Sequence, residues 1–274
     1  MDIKLIAFDL DGTILDSNKD LPPENKWALE RAANAGIQVV PATGRFYNGM
    51  PQCIKELPFI NYAITINGAE VLNVKTGEVI YKAEIPLKKG LEVLDYLKGL
   101  GVAYDAYIGS QGYMGRYHMD NIENYLKSEV YCRTVRSMRK PVEDLIPFVK
   151  EKGLPLQKTQ MFTLNMETLL GAIEHVNTVW PDLIATSSLT TNLEINNKMA
   201  TKGQALKALA DHLGLDIKQT MAFGDGGNDF DMIETAGIGV AMGNAVDRIK
   251  KGADLITLTN DGCGAAYAIN KLLF

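Results

Sequence analysis

Four aspartates in two tight groups carry the first chemical signal. Asp9 and Asp11 flank Leu10 in Asp9-Leu10-Asp11-Gly12-Thr13, and Asp225 and Asp229 bracket Gly226-Gly227-Asn228. Each group directly follows a short apolar run that reads as a β-strand. In open α/β sheets, ligands gather beyond the carboxyl ends of the strands. The two-residue period of a strand puts Asp9 and Asp11 on one side, and Gly12 permits a sharp exit. Carboxylates this close repel, so one must take a proton or the set must hold a cation. If the two strands lie near the centre of one sheet, all four carboxylates converge. Hard oxygen ligands of that kind suit Mg²⁺, which prefers octahedral oxygen coordination.

Two further segments offer what an anion needs. Ala42-Thr43-Gly44-Arg45 follows another strand and opens a helix. Thr43 brings a hydroxyl, and the Gly44 amide at a helix start can approach an anion closely. Lys202, in Thr201-Lys202-Gly203, also stands at a helix start. The helix dipole disfavours a cation there, so the lysine is expected to face an anion.

These residues need a framework that brings the two ends of the chain together. Apolar runs over 3–8, 37–42 and 62–66 read as strands. Between them lie a helix opened by Pro22-Pro23 and stopped at Gly36, and a second helix over 46–57. Asn67-Gly68 reads as a turn into Val71-Leu72. Strand, helix, strand, helix, strand implies right-handed crossovers and a parallel sheet. From residue 83 the rhythm changes. A helical period at 91–97 is followed by a strand at 102–108, an aperiodic Gly- and Tyr-rich stretch at 109–116 and a basic cluster at 133–140. A strand at 160–165, a helix at 167–179 ended by Pro181 and a short strand at 183–187 complete an inserted α+β domain over 83–188, and a further short strand reads at 192–195. The alternation then resumes, with helices over 205–213, 227–236, 245–251 and 264–273 and strands over 220–223, 238–241 and 254–257.

Composition narrows the function classes. The 274 residues carry 28 Lys+Arg against 33 Asp+Glu, a formal net charge of −5. With 46% hydrophobic and 22% charged residues, the chain is not disordered, collagen-like or a disulfide scaffold. The acidic balance argues against nucleic acid as partner, because duplex binding needs a basic face. No run of roughly 18 apolar residues predicts a membrane span. The N-terminal apolar stretch, interrupted by Asp9 and Asp11, is too short for a signal sequence. Cys53, Cys132 and Cys263 stand far apart with no CxxC spacing and read as free thiols in a reducing cytoplasm. No GxGxxG follows the first strand, which argues against hydride transfer.

Together, FDLDGT (8–13), ATGR (42–45), KG (202–203) and GDGGND (224–229) appear in that order and resemble the four motifs of the haloacid dehalogenase superfamily. Asn67-Gly68-Ala69, Leu193-Glu194-Ile195 and Met242-Gly243-Asn244-Ala245 resemble secondary marks of its Cof-type, sugar-phosphatase-like branch (class IIB, C2-capped). Gly226-Gly227 and the short run 259–264 depart from the commoner family pattern without removing a catalytic group. The resemblance spans essentially the whole chain. It implies an α/β fold: a Rossmann-like three-layer core with a parallel sheet, residues 1–82 and 189–274, plus an inserted α+β cap domain, residues 83–188.

The same resemblance implies roles. Asp9 would be the nucleophile that forms an aspartyl-phosphate, and Asp11 the general acid and then base. Mg²⁺ would be held by Asp9, the backbone carbonyl of Asp11, Asp225 and Asp229. Thr43, Gly44, Lys202 and Asn228 would hold the phosphoryl oxygens. The implied activity is Mg²⁺-dependent hydrolysis of a small phosphomonoester, a sugar phosphate or similar metabolite. A phosphotransferase or phosphohexomutase using the same aspartyl-phosphate is the alternative. A phospho-signalling receiver also groups Asp, Thr and Lys around Mg²⁺, but it needs only one small domain and no DxDGT. The expected partner is a small phosphorylated metabolite, with no nucleic acid and no membrane, and the expected state is a monomer or homodimer. In this family the cap lines the leaving-group pocket; Tyr107, Tyr113, Arg116, Tyr117, His118, Arg133, Arg136 and Arg139 are the candidates here.

Overall fold

Leu5–Phe8 (β1) is an unbroken apolar run, and all four residues are buried. A strand of that kind is covered on both faces. The computed structural model describes residues 2–186 and 191–274, and it divides the chain into two compact units. One comprises Met1–Lys82 with Met199–Phe274, the other Ala83–Lys198. After β1 come α1 (Pro23–Asn34), with proline at its first position, and β2 (Gln38–Pro41). The helix expected over 46–57 is instead a single 3₁₀ turn, Tyr47–Gly49, and a short α2 (Gln52–Lys55). Pro51 between them has no N–H to continue a helical ladder. β3 (Tyr62–Thr65), β4 (Glu70–Asn73) and β5 (Val79–Lys82) form an antiparallel sheet of their own. β3 is therefore not a full member of the parallel sheet; it meets it through one parallel bridge, Ala42 to Ile64.

The inserted unit opens with α3 (Leu87–Gly99), β6 (Ala103–Ile108), β7 (Gln111–Gly115), α4 (Arg116–Asp120) and α5 (Glu129–Met138). It continues with β8 (Arg139–Val142), α6 (Leu145–Lys152), β9 (Lys158–Phe162), α7 (Met166–Val179), β10 (Leu183–Thr186) and β11 (Asn192–Asn197). The stretch at 109–116 turns out to be a hairpin, its tip at Gly109 and Ser110 held at positive φ. The basic cluster is split between α5 and β8. The six strands run β10-β11-β9-β6-β7-β8, antiparallel except for β7 with β8. Ser187, the last residue of an expected strand, and the expected domain boundary at 188–189 lie outside the described residues. The first unit resumes at Met199, ten residues later than the expected 189, because β11 pairs with both β9 and β10.

The first unit then continues with α8 (Lys202–His212), β12 (Thr220–Gly224), α9 (Phe230–Thr235) and β13 (Ile238–Ala241). It closes with α10 (Asp247–Gly252), β14 (Leu255–Ile256) and α11 (Gly264–Leu273). The helix expected over 227–236 begins as a 3₁₀ turn at Gly227–Asp229. All five strands of the main sheet are parallel, in the order β14-β13-β12-β1-β2. Alternation in β1 sends Leu5 and Ala7 into one cluster with Ala205, Leu206 and Leu209 of α8. Ile6 and Phe8 enter another, with Leu29 of α1 and Ile269 of α11. From β1 the chain moves outward to β2 on one side and returns through β12 on the other. The carboxyl ends of β1 and β12 are thus the point where strand order reverses, the usual ligand position in such sheets.

Candidate active site

Asp9 is the first residue past β1, and its N–H still donates to the Phe223 carbonyl at 3.0 Å. Continuing the alternation puts its side chain on the face of Leu5 and Ala7, the face that α8 covers. Lys202, the first residue of α8, meets it there. The Lys202 Nζ donates to Asp9 Oδ1 and to Asp229 Oδ1, each at 2.6 Å, and the lysine is fully buried. Thr201 caps α8, its hydroxyl accepting from the Gln204 N–H at 3.2 Å and donating to Asp231. Gly203 lets α8 lie against α9: a Cβ there would sit 2.6 Å from the Asp231 carbonyl oxygen.

Loop 10–13 folds back onto the end of β12. Gly12 has φ +81°, and a Cβ on it would stand 2.4 Å from Asp225 Oδ2. Only glycine permits both. The Thr13 hydroxyl donates to Asp225 Oδ1 at 2.8 Å. The N–H groups of Asp225 and Gly226 both donate to Asp229 Oδ2 at 2.9 Å. Among the described residues, Asp9, Asp225 and Asp229 bring one carboxylate oxygen each within 4.8 Å of one another.

Three carboxylates face one ammonium, a surplus of two negative charges when all are ionised. Burial pushes the Asp9 carboxyl above its ordinary range; Lys202 opposes this, and Asp229 and Asp225 add to it. Burial, reinforced by Asp229, raises Asp225 to about 6. Lys202 goes the other way: burial works against its charge, but Asp229 and Asp9 outweigh it and hold the ammonium above its usual value. An all-oxygen donor set short of two positive charges fits a hard divalent cation.

Asp11 stands apart from this group. Arg45 donates to its carboxylate through Nε at 3.1 Å and Nη2 at 2.9 Å, and Lys19 Nζ lies 3.0 Å away. Burial works to raise Asp11, but Arg45 and Lys19 outweigh it and hold the carboxyl below its usual value. Thr43 is buried, and its hydroxyl accepts from the Arg45 N–H at 3.2 Å. Asn228 Nδ2 donates to Asn67 Oδ1 at 3.2 Å, and the same oxygen lies 2.7 Å from where a Gly44 Cβ would be. Asn67 thus stands between Gly44 and Asn228, two of the residues expected to bind phosphate.

Several supporting residues lie outside the four main motifs. Asn25 is fully buried in α1; it donates to the Ile14 carbonyl at 2.8 Å and accepts from the Ala266 N–H at 3.1 Å. Asn260 Nδ2 donates to the Leu15 carbonyl at 3.0 Å, and Asn244 Nδ2 to the Gly12 carbonyl at 2.8 Å. An asparagine on the apolar side of a helix was the available clue for Asn25, since a buried amide needs partners.

In the inserted unit, alternation gives the sheet one apolar and one polar face. Tyr104, Ala106, Met161, Leu193 and Ile195 enter the core with α3, α6 and α7. Asp105, Gln160 and Glu194 are register partners on the other face. There Arg139 donates to Asp105 at 2.8 Å and also to Gln160, while Gln160 and Lys158 both donate to Glu194, at 2.6 and 3.3 Å. Of the expected lining residues, Tyr107 and Arg139 belong to this face, the arginine 5.4 Å from the ring centre. Lys158, Gln160 and Glu194 join them on this face, beyond the expected lining residues. Tyr113 packs on Phe148, and His118 lies among Tyr104, Tyr117 and Tyr125. Arg116, Arg133 and Arg136 pair with Glu143, Glu129 and Glu123. No helix among the described residues is long and apolar enough to cross a membrane.

Known proteins resemble this arrangement along its whole length. Residues 6–269 match the model of the haloacid dehalogenase-like hydrolase family. Phosphatase YwpJ of Bacillus subtilis is 34% identical over 99% of this chain and 100% of its own. A 5-amino-6-(5-phospho-D-ribitylamino)uracil phosphatase of the same organism, YwtE, is 30% identical over 99% of this chain and 98% of its own. The solved structure of a haloacid dehalogenase-like hydrolase from B. subtilis superposes with a TM-score of 0.86 at 31% identity, covering 99% of this chain and 100% of that one. The chain belongs to the haloacid dehalogenase-like hydrolase family and is a phosphatase of that family.

Proposed function

We propose that the protein is a cytoplasmic, Mg²⁺-dependent phosphatase that hydrolyses a small phosphomonoester through an aspartyl-phosphate on Asp9. The observation that carries this reading is Lys202 at 2.6 Å from both Asp9 and Asp229, at the sheet's switch point. It groups a buried nucleophile candidate, a hard-cation donor set and a cation that can face a phosphoryl oxygen. Asp9, Asp225, Asp229 and the Asp11 backbone carbonyl would hold Mg²⁺, which when bound supplies positive charge to the phosphoryl group. Three free thiols suit a reducing compartment.

A carboxylate oxygen of Asp9 attacks phosphorus, and the bond from phosphorus to the leaving oxygen breaks. Asp11 gives that oxygen a proton. Asp11, now ionised, takes a proton from water as the water oxygen attacks phosphorus. The bond from Asp9 to phosphorus breaks, and inorganic phosphate leaves with both aspartates restored. Lys202, Thr43, the Gly44 amide and Asn228 hold the phosphoryl oxygens, where charge must be stabilised. Arg45 and Lys19 must release Asp11 for it to carry a proton.

For the substrate, we infer a phosphorylated polyol or sugar-like metabolite. YwtE is named for a ribityl phosphate, and the polar face of the inserted unit offers paired donors and acceptors suited to hydroxyl groups. The test is a panel of hexose, ribityl, flavin and pyridoxal phosphates in ¹⁸O-labelled water with Mg²⁺. Hydrolysis puts label into phosphate and stops with EDTA. Unlabelled transfer of the phosphoryl group to a second sugar points to a phosphotransferase or mutase and overturns the hydrolytic reading.

A further inference from the structure

Ile66 and Asn67 follow β3 with φ of +53° and +58°, and Gly68 continues at +94°. Non-glycine residues seldom occupy this region, and a β-branched isoleucine there is a true outlier. Such conformations persist only where their surroundings dictate them, and they gather at functional sites. Here the surroundings are the expected phosphate-binding segments. The N–H of Ile66 donates to the Arg45 carbonyl and that of Asn67 to the Thr43 carbonyl, each at 3.0 Å. A Cβ on Gly68 would stand 2.1 Å from the Thr201 carbonyl oxygen and 2.9 Å from the Lys202 nitrogen. The Asn67 side chain accepts from Asn228 at 3.2 Å. The turn 66–68 is therefore where three segments far apart in sequence meet.

We infer that Asn67 is a positioning residue for the phosphate cradle. Its left-handed backbone aims the side-chain oxygen at Asn228 and against Gly44, and so fixes the amide of one and the backbone of the other. The inference rests on the proposed role of Thr43, Gly44, Lys202 and Asn228 in holding phosphate. A turn that served the fold alone would need the positive φ but not the amide.

Asn67→Gly separates the two, because glycine adopts the left-handed backbone freely and lacks the amide. The readouts are the affinity for inorganic phosphate by calorimetry in Mg²⁺ buffer, the unfolding midpoint, and kcat and KM for p-nitrophenyl phosphate. We expect a midpoint near that of the wild type and a phosphate affinity lower by about tenfold, the worth of one well-placed hydrogen bond. Asn228→Ala is expected to lose a similar factor, and adding Asn67→Gly to it to cost little more, because the two act as a unit. Wild-type affinity in Asn67→Gly, or fully additive losses in the double variant, overturns the inference. If Asn67→Gly does not fold, Asn228→Ala decides: unchanged phosphate affinity overturns it. A wild type that binds no phosphate overturns it too, whereas phosphate binding without ester turnover overturns only the hydrolytic reading.

Discussion

Arg45 grips Asp11 with two nitrogens on one oxygen, Nε at 3.1 Å and Nη2 at 2.9 Å. Burial alone would raise this carboxyl, but Arg45 and Lys19 hold it below the usual aspartate value of 3.8. A carboxyl lowered by folding contributes stability above its unfolded value, and loses it as pH falls through the lower folded value. Arg45→Met should therefore unfold at a lower temperature than the wild type near neutral pH. The gap should close as pH drops below 3.8. Thermal unfolding across the acid range checks this; a gap that stays constant contradicts it.

Asp225 has the opposite sign. Its carboxyl is raised from 3.8 to about 6, burial being the main cause and Asp229 the next. A raised group contributes stability fully below its unfolded value and loses it as pH rises through the folded one. Metal-free protein is expected to lose stability between about pH 4 and pH 7, and Asp225→Asn to lose less. Divalent cation competes with protons for these oxygens. Added Mg²⁺ should raise the unfolding temperature more at pH 8 than at pH 5, and an equal rise at both would count against a carboxylate-held ion.

Lys202→Met leaves Asp9 and Asp229 buried without their shared cation. Removing one partner of a buried charge group typically costs about 3–5 kcal/mol. Urea unfolding in EDTA should show a loss of that order, reduced when Mg²⁺ is present. Loss of phosphatase activity should accompany it, since Lys202 is the ammonium that bonds both Asp9 and Asp229.

Gly12→Ala tests the contact between loop 10–13 and β12. The new methyl must displace the Asp225 carboxylate, at 2.4 Å, and accept a positive φ. The Mg²⁺ concentration for half-maximal activity should rise by about tenfold or more, in line with the loss of a supporting contact at a metal site. An unchanged Mg²⁺ requirement would show that Asp225 is not a ligand.

Asp9→Asn should reduce turnover on the order of 10⁴–10⁶-fold, as loss of a nucleophile does. The same change removes one of three crowded carboxylates and leaves Lys202 bonded to Asp229. In EDTA the variant is therefore expected to melt higher than the wild type, an exchange of function for stability common at active sites. Persistent phosphate release from it would remove Asp9 as the nucleophile.

The sequence made the chemistry visible where a side chain and its strand are neighbours in the chain. Asp9 and Asp225 each follow an apolar run, so their position at strand ends could be read directly. Arg45 lies within ATGR, yet its partner is 34 residues away, and nothing local announces that pairing. The same holds for Asn25, Asn244 and Asn260, whose amides tie down loop 10–15 from three later parts of the chain. Pro51 cuts the expected helix short, because its ring nitrogen has no N–H to continue the ladder. β11 was placed outside the inserted unit for a different reason. Its residues pair across the sheet with β9 and β10, and strand partnership leaves no mark on composition.

The split of the core sheet has a consequence for how the protein is made. Thr13 and Asp225 bond across 212 residues, and β1 gains its β12 neighbour, Leu5 opposite Thr220, only at a similar sequence distance. The inserted unit, Ala83–Lys198, is one continuous stretch. At about 5–20 residues per second of synthesis, β1 and β2 wait on the ribosome on the order of 10–40 s for β12 to emerge. The inserted unit can fold in that interval, while the apolar β1 still lacks its β12 neighbour and exposes an edge that aggregates readily if unprotected. The candidate site, which needs Asp9 from one end of the chain and Asp225 from the other, is thus among the last parts of the nascent chain to form.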